Sequence, residues 1–402
     1  MTNDIINNDK VKLTAILCYI AAMFGGASYP ICALLSPQLA KNFGVITSHI
    51  VYIDTLSLVG LIVGNSLSGK IIARIGGKNT LLLGVLIFAL SQLAISIQDE
   101  IYLYACFVFT TGFAMGLFVP SVSYLIVAAF TPAGKSDAKL SVLNFFFGLG
   151  GFLGPSIAGI IAKNYSWRLS FFTIFCSLMI LVIIVKFTSI KEKIGASTKE
   201  NTQEKDIKPT KAINLGVILV GLALIAYVYI EYIITYWFSP YLQTGLNFDV
   251  EAVGYIIGIF WLFVALGRLF FGEMIIPKVK DYRFIIGSAI SIAVLLGIFV
   301  FLTNQSLIFV VVALLGLACS SVFPVLLAFG MKQNPLVSPV TMAFLVCSGS
   351  VGGAISLLSS ATIGALLPKV AAIYMGPVLC ILIIVIVLYA KRNSENTTLK
   401  SN

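Results

Sequence analysis

Apolar residues run through this chain in long unbroken stretches instead of alternating with polar ones. Six lie near 13–35, 47–69, 79–98, 101–130, 138–162 and 168–188, and six more near 212–238, 250–276, 283–303, 306–330, 338–364 and 370–390. A helix of about 20 apolar residues crosses the hydrocarbon core of a bilayer, so each stretch predicts one span. The stretches are too long and too uniformly apolar for barrel strands, and a helix satisfies its own backbone in lipid. The first stretch follows Lys10 and Lys12, is too long for a signal-peptide core, and is followed by no clear cleavage site; it reads as the first span. A single long polar connection, residues 189–211, separates spans six and seven and holds six lysines and four acids. It reads as a flexible linker. The expected fold is therefore all-α integral membrane: twelve transmembrane helices in two six-helix bundles, 1–188 and 212–402, the second ending in a short cytoplasmic tail.

The two bundles carry the same glycine pattern. Gly64 and Gly69 recur as Gly267 and Gly272, Gly112 and Pro120 as Gly316 and Pro324, and Gly150–Gly151 as Gly352–Gly353, at offsets of 203, 204 and 202 residues. The chain reads as one half-molecule written twice, and parallel repeats of this kind place a binding site between halves near the bilayer midplane.

Composition agrees. Hydrophobic residues make up 59% of the chain and charged residues 10%, against about 25% charged in soluble domains. The formal charge of +10 on its own allows a nucleic-acid partner, but its placement argues otherwise. With the N-terminus inside, 22 of the 26 lysines and arginines fall on the cytoplasmic side, and only Lys41, Lys163, Arg168 and Lys369 fall outside. That asymmetry predicts cytoplasmic termini in a cell inner (plasma) membrane, and the positive charge serves topology and contact with anionic lipid. The seven cysteines all lie in apolar stretches with no CxxC pair, and His49 is the only histidine. No metal, cofactor or disulfide framework is expected. No catalytic set or phosphate-binding loop of the GxxxxGK[ST] type is present either, so the chain does not read as an enzyme.

The connection after span two reads Gly69-Lys-Ile-Ile-Ala-Arg-Ile-Gly-Gly-Lys78. It resembles the signature loop of the major facilitator superfamily, matched at Gly69, Arg74, Gly76 and Lys78. Ala73 stands where that family usually has Asp, which puts a conventional cytoplasmic latch in doubt. The equivalent point in the second half holds Gly267, Arg268, Gly272 and Glu273, where Arg268 and Glu273 are expected to pair as part of a cytoplasmic gate. Simple topology anchoring is the alternative for Lys70, Arg74 and Lys78. In span five, Gly150, Gly154, Pro155 and Gly159 resemble the Gly-Pro motif of proton-coupled antiporters; the physical content is a kinkable helix with a close-packed small face. Span seven, Tyr227 to Tyr241 around Glu231, with Phe260-Trp261 and Gly267-Arg268 in span eight, resembles the fucose–proton symporter branch. Over most of the chain the pattern is similar to TsgA-type proteins. The resemblance implies a secondary transporter working by alternating access.

Ionisable residues inside spans are expensive, so each one present carries information. Glu231 is the only acid well inside a span of the second half, with Tyr227 and Thr235 one turn to either side. Burial disfavours the charged form of a carboxyl, and a group that gains and loses a proton is what a proton-coupled carrier needs. Binding a substrate hydroxyl, or simple hydration at the periplasmic end, are the alternatives. Asp54, about two turns into span two, is the second candidate. Asn144 in span five is a candidate for substrate binding or helix bridging, and Trp261 for stacking on a ring or for packing. The expected function is proton-coupled symport of a small polar solute by a monomer. Drug or metabolite efflux by antiport is the alternative, and a non-transporting membrane sensor a third reading.

Overall fold

The structure is a computed structural model that describes residues 2–28, 30–130, 136–188, 213–333 and 339–401; the expected linker 189–211 lies outside the described residues. Among them the regular structure is helical, and twelve helices are long and apolar enough to cross a membrane. The chain is a multi-pass membrane protein, as its hydrophobic pattern predicts.

Two compact units form. The first comprises Met1–Glu200 with Phe248–Trp261, the second Asn201–Asn247 with Leu262–Asn402. The first contains α1 (Thr2–Ser28), α2 (Ile31–Phe43), α3 (Thr47–Ile75), α4 (Gly77–Ile97), α5 (Ile101–Phe130), α6 (Ser136–Asn164) and α7 (Trp167–Phe187). Here α5 packs along both α3 and α4, α4 lies on α7, and α1 lies on α6. The second contains α8 (Leu215–Tyr232), α9 (Phe238–Pro240), α11 (Asp281–Phe299), α12 (Gln305–Cys319), α13 (Val322–Met331), α14 (Pro339–Leu366) and α15 (Ala371–Ser401). In it α8 packs on α14 and α15, and α11 on α12 and α15. Helix α10 (Val250–Met274) gives its first half to the first unit and its second half to the other.

Helix ends extend beyond the apolar stretches. Span two runs to Ile75, not Gly69, so most of the expected loop is helix. Nothing in Gly69–Ile75 terminates a helix. The turn is made by Gly76 alone, whose φ of 85° is open to glycine and strained for other residues. Likewise α2 stops at Gly44, with φ 65°.

Several of the shared glycines are explained by contact. A Cβ on Gly112 would stand 1.8 Å from the Ser57 carbonyl oxygen, and one on Gly60 2.2 Å from that of Phe109, so α3 and α5 touch backbone to backbone. Gly150 and Gly154 bring α6 against α1, where a Cβ would fall 1.9 Å from the carbonyl oxygens of Met23 and Ala27. The second unit repeats the arrangement: a Cβ on Gly352 of α14 would stand 2.4 Å from the Ile225 carbonyl oxygen of α8. Lipid offers no hydrophobic drive for helix association, so close packing of small residues holds such bundles together. On its other side α6 meets the first half of α10: Gly254 lies on the Pro155 carbonyl, and Gly159 on that of Val250. Lys163 at the end of α6 pairs with Asp249 at 3.1 Å and Glu251 at 2.9 Å.

Gly112→Val should lower stability by about 1–3 kcal/mol through forced separation of α3 and α5. Gly69 has nothing within 4 Å of its would-be Cβ, so Gly69→Ala should leave stability unchanged or raise it by about 0.5–1 kcal/mol. Thermal unfolding of the two purified variants checks the contrast.

Candidate functional site

Three spans are interrupted. In span one, α1 ends at Ser28 and α2 begins at Ile31, with Pro30 between. Span seven continues past Tyr232 through two π-helical segments, Ile233–Trp237 and Tyr241–Gly245, around Pro240. Span ten breaks at Ser320–Ser321 between α12 and α13. Irregular backbone at membrane depth is tolerated only where protein or a water-filled cavity surrounds it, so the breaks mark the interior of each unit.

The break in span ten begins with Pro324, which has no N–H to offer the Ser320 carbonyl four residues earlier. Two side chains meet the loosened carbonyls. Tyr227 Oη donates to the Cys319 oxygen at 2.7 Å, and Arg268 Nε donates to the Ser320 oxygen at 3.1 Å. Gly267 makes room for this approach, since a Cβ there would lie 2.4 Å from Ser320 Oγ. Glu231 stands one turn along α8 from Tyr227, whose hydroxyl lies 3.4 Å from its Oε1. A single phenol proton cannot serve both acceptors, and the shorter bond goes to Cys319, so Glu231 lacks a strong donor. The charge of Arg268 acts on Glu231 and on Tyr227, yet among the described residues the guanidinium hydrogen-bonds through Nε and not through its terminal nitrogens. Between the buried runs Tyr227–Ile230 and Ile233–Trp237, Glu231 keeps accessible surface. Thr235, by contrast, is buried and donates to the Glu231 main-chain oxygen at 2.9 Å.

The first unit holds a separate buried carboxyl. Asp54 on α3 is 1% exposed; its Oδ1 accepts from Tyr104 Oη of α5 at 2.9 Å, and its Oδ2 has no partner. Cys32 of α2 stands beside this pair. His49 is exposed and takes no part.

The remaining expected residues are dispersed. Asn144 is exposed on α6. The Trp261 indole lies on Gly151, whose Cβ would stand 2.9 Å from it, and meets Phe260 edge-on. Arg74 is exposed, and Lys78 donates to the Lys186 carbonyl at 3.1 Å, tying the start of α4 to the end of α7. Arg268 lies within α10, not in a loop, and turns towards span ten. The side chain of Glu273 lies outside the described residues. Gly150, Gly154, Pro155 and Gly159 all lie in helix contacts.

Sequence reasoning missed Tyr104 as the partner of Asp54, and Ser320 as the partner of Arg268. The second had a legible signal: Ser320-Ser321 and Pro324 in the middle of an apolar span announce an unpaired carbonyl.

The sequence profile of the Major Facilitator Superfamily matches residues 15–356. The chain belongs to the major facilitator superfamily. Proteins named TsgA homolog from Buchnera aphidicola subsp. Baizongia pistaciae and from Yersinia enterocolitica are 20% and 21% identical to it over 348 residues, covering 86% of this chain and 87% and 86% of theirs. Among solved structures, that of the POT family transporter PepTSo shares the fold with a TM-score of 0.72 and 12% identity, covering 96% of this chain and 98% of that one. The fold and family make this major facilitator protein a secondary transporter of a small molecule.

Tyr227→Phe should lower stability by about 1–3 kcal/mol, because the buried Cys319 carbonyl loses its donor and no water replaces it. Tyr229→Phe, which removes a hydroxyl bonded only to Ser359, should cost less. Unfolding midpoints of the two variants make the comparison.

Proposed function

We propose that this transporter carries a small polar solute together with a proton across the inner membrane, as a monomer with both termini in the cytoplasm. The halves 1–188 and 212–402, joined by 189–211, expose the solute alternately to either side. Glu231 is the coupling carboxyl. What supports this is its setting: an acid inside span seven, partly accessible, without a strong donor, and in the field of an arginine that it does not touch. In its charged form the carboxylate balances Arg268. Once it takes a proton, the terminal nitrogens of Arg268 are left to an acceptor on the solute, so solute and proton bind together. Release of the proton on the other side restores the balance and favours solute release.

Asp54 is the second candidate. Its deep burial against Tyr104 supports a proton site, but it has no cation beside it to relay protonation to a solute. Efflux by antiport rests on the Gly-Pro pattern of span five. That pattern is accounted for by helix packing, which favours symport by removing the motif's claim on mechanism.

A thermal-shift screen of the purified protein against sugars, amino acids, nucleosides and common drugs identifies the solute, since a ligand that binds only the folded state raises its stability. In proteoliposomes, an imposed inward proton gradient should then drive its accumulation. Glu231→Gln should abolish that accumulation and spare solute exchange. Unchanged gradient-driven accumulation in this variant would remove Glu231 from the mechanism and pass the role to Asp54, tested as Asp54→Asn. Accumulation driven by an outward proton gradient instead identifies antiport, and ligand binding without flux identifies a sensor.

A further inference from the structure

Beside the break of span ten, a guanidinium and a carboxyl stand near each other without forming an ion pair. Arg268 donates from Nε to the Ser320 oxygen at 3.1 Å, and among the described residues its terminal nitrogens make no hydrogen bond. Glu231 approaches a single donor, Tyr227 Oη at 3.4 Å, whose proton goes to the Cys319 oxygen at 2.7 Å instead. Arg268 and Tyr227 are the groups that act on the Glu231 carboxyl, and Cys319 of α12 is the other titratable group beside it. Glu231 and Arg268 both keep accessible surface, so neither is sealed in by packing.

The shape of the open donors selects a ligand group. A guanidinium is a planar fork of N–H groups that matches the two oxygens of a carboxylate. The bond from Nε to Ser320 holds that fork in place and leaves its terminal N–H groups, one from each nitrogen, to grip two oxygens end-on.

The charges select its sign. With Glu231 ionised, Glu231 and Arg268 sum to zero. With Glu231 protonated, one positive charge remains inside the membrane-spanning part of the protein, where an uncompensated ion is costly. A neutral sugar or nucleoside accepts hydrogen bonds from the guanidinium but leaves that charge standing. A dianion reverses it. A zwitterion restores balance only when its own cation takes the place of the proton on Glu231. A solute with one negative charge returns the sum to zero.

We propose that the solute is a small monocarboxylate, its two oxygens gripped by the terminal nitrogens of Arg268 while Glu231 carries the proton. This rests on Glu231 as the coupling carboxyl and goes beyond it by naming the charge and class of the solute. Anion and proton then cross together as an electrically neutral pair.

The test follows the unfolding temperature of the purified full-length protein at constant ionic strength. Lactate, benzoate and gluconate are each compared with an uncharged counterpart, lactamide, benzamide and glucose, and glycine serves as the zwitterion. The anions should stabilise wild type and their counterparts should not. The response should strengthen as pH falls, because protonation of Glu231 removes the carboxylate that competes for Arg268. Glu231→Gln holds the site in its protonated form, so at neutral pH it should bind the anions about tenfold or more tightly than wild type, with no further dependence on pH. Arg268→Lys keeps a charge and a donor for Ser320 but loses the fork, and should raise the half-saturating concentration about tenfold. Arg283→Gln, which removes an exposed cation of α11, should respond as wild type does. If Arg268→Lys does not fold, the paired ligands on wild type and on Glu231→Gln still decide. The proposal is overturned if no anion stabilises wild type, if the uncharged counterparts or glycine do so as well as the anions, or if Arg268→Lys responds as wild type does. Anion binding that needs Arg268 but is unchanged by pH and by Glu231→Gln upholds the anion site and removes Glu231 as the coupling carboxyl.

Discussion

In a bilayer a main-chain carbonyl that loses its helical partner finds no water to replace it, and every departure from regular helix must be answered by another group of the protein. The molecule follows from that requirement. It makes the regular structure of the described residues helical and decides which side chains reach into the interior. At the break of span ten the answer comes from Tyr227 and Arg268, whose hydrogen bonds to Cys319 and Ser320 bind α8, α10 and α12 around one point. Glu231 is close to both donors and engaged fully by neither. A polar cluster that first satisfies backbone also sets a carboxyl and a guanidinium at a separation a ligand can bridge.

The duplicated scaffold makes this asymmetry visible. Gly150 on Met23 in the first unit and Gly352 on Ile225 in the second are the same helix contact, both members displaced by 202 residues. The contact of Gly64 with Gly116 becomes that of Gly267 with Ser320, at offsets of 203 and 204. On these offsets Tyr227, Arg268 and Ser320 stand where the first half has Gly25, Asn65 and Gly116, and Glu231 where it has Tyr29, which lies outside the described residues. The packing residues are thus held in common while the polar residues differ. Small residues at a contact are constrained by the approach of two backbones. Polar residues next to a break are constrained only by the need for a donor, which one half meets with Tyr and Arg.

Much of this was legible before any coordinates. The apolar stretches gave the twelve spans, because a bilayer imposes one length on every crossing. Glu231 and Asp54 stood out because charge inside a span is costly. The helix of span two runs beyond its apolar stretch because hydrophobicity marks where lipid ends, whereas helix continues until a residue such as Gly76 turns it. The position of Arg268 near a span end does not show that its side chain reaches Ser320, because a long flexible side chain can act at a depth its backbone position does not reveal.

What the sequence determined by itself is therefore the medium, the number of crossings, the duplication, and the short roster of polar residues that the medium makes conspicuous. Each depends on composition and spacing along one chain, which are local properties. Which of those residues share a site was decided only by tertiary structure. Tyr227, Glu231, Arg268 and Ser320 converge, Asp54 turns to Tyr104, Trp261 settles on Gly151, and Asn144 stays apart. Those outcomes depend on the rotation of each helix about its axis and on the depth at which glycines let neighbours meet. Both are fixed by contacts between residues tens to hundreds of positions apart, and a uniformly apolar helix carries little periodicity of its own to announce them.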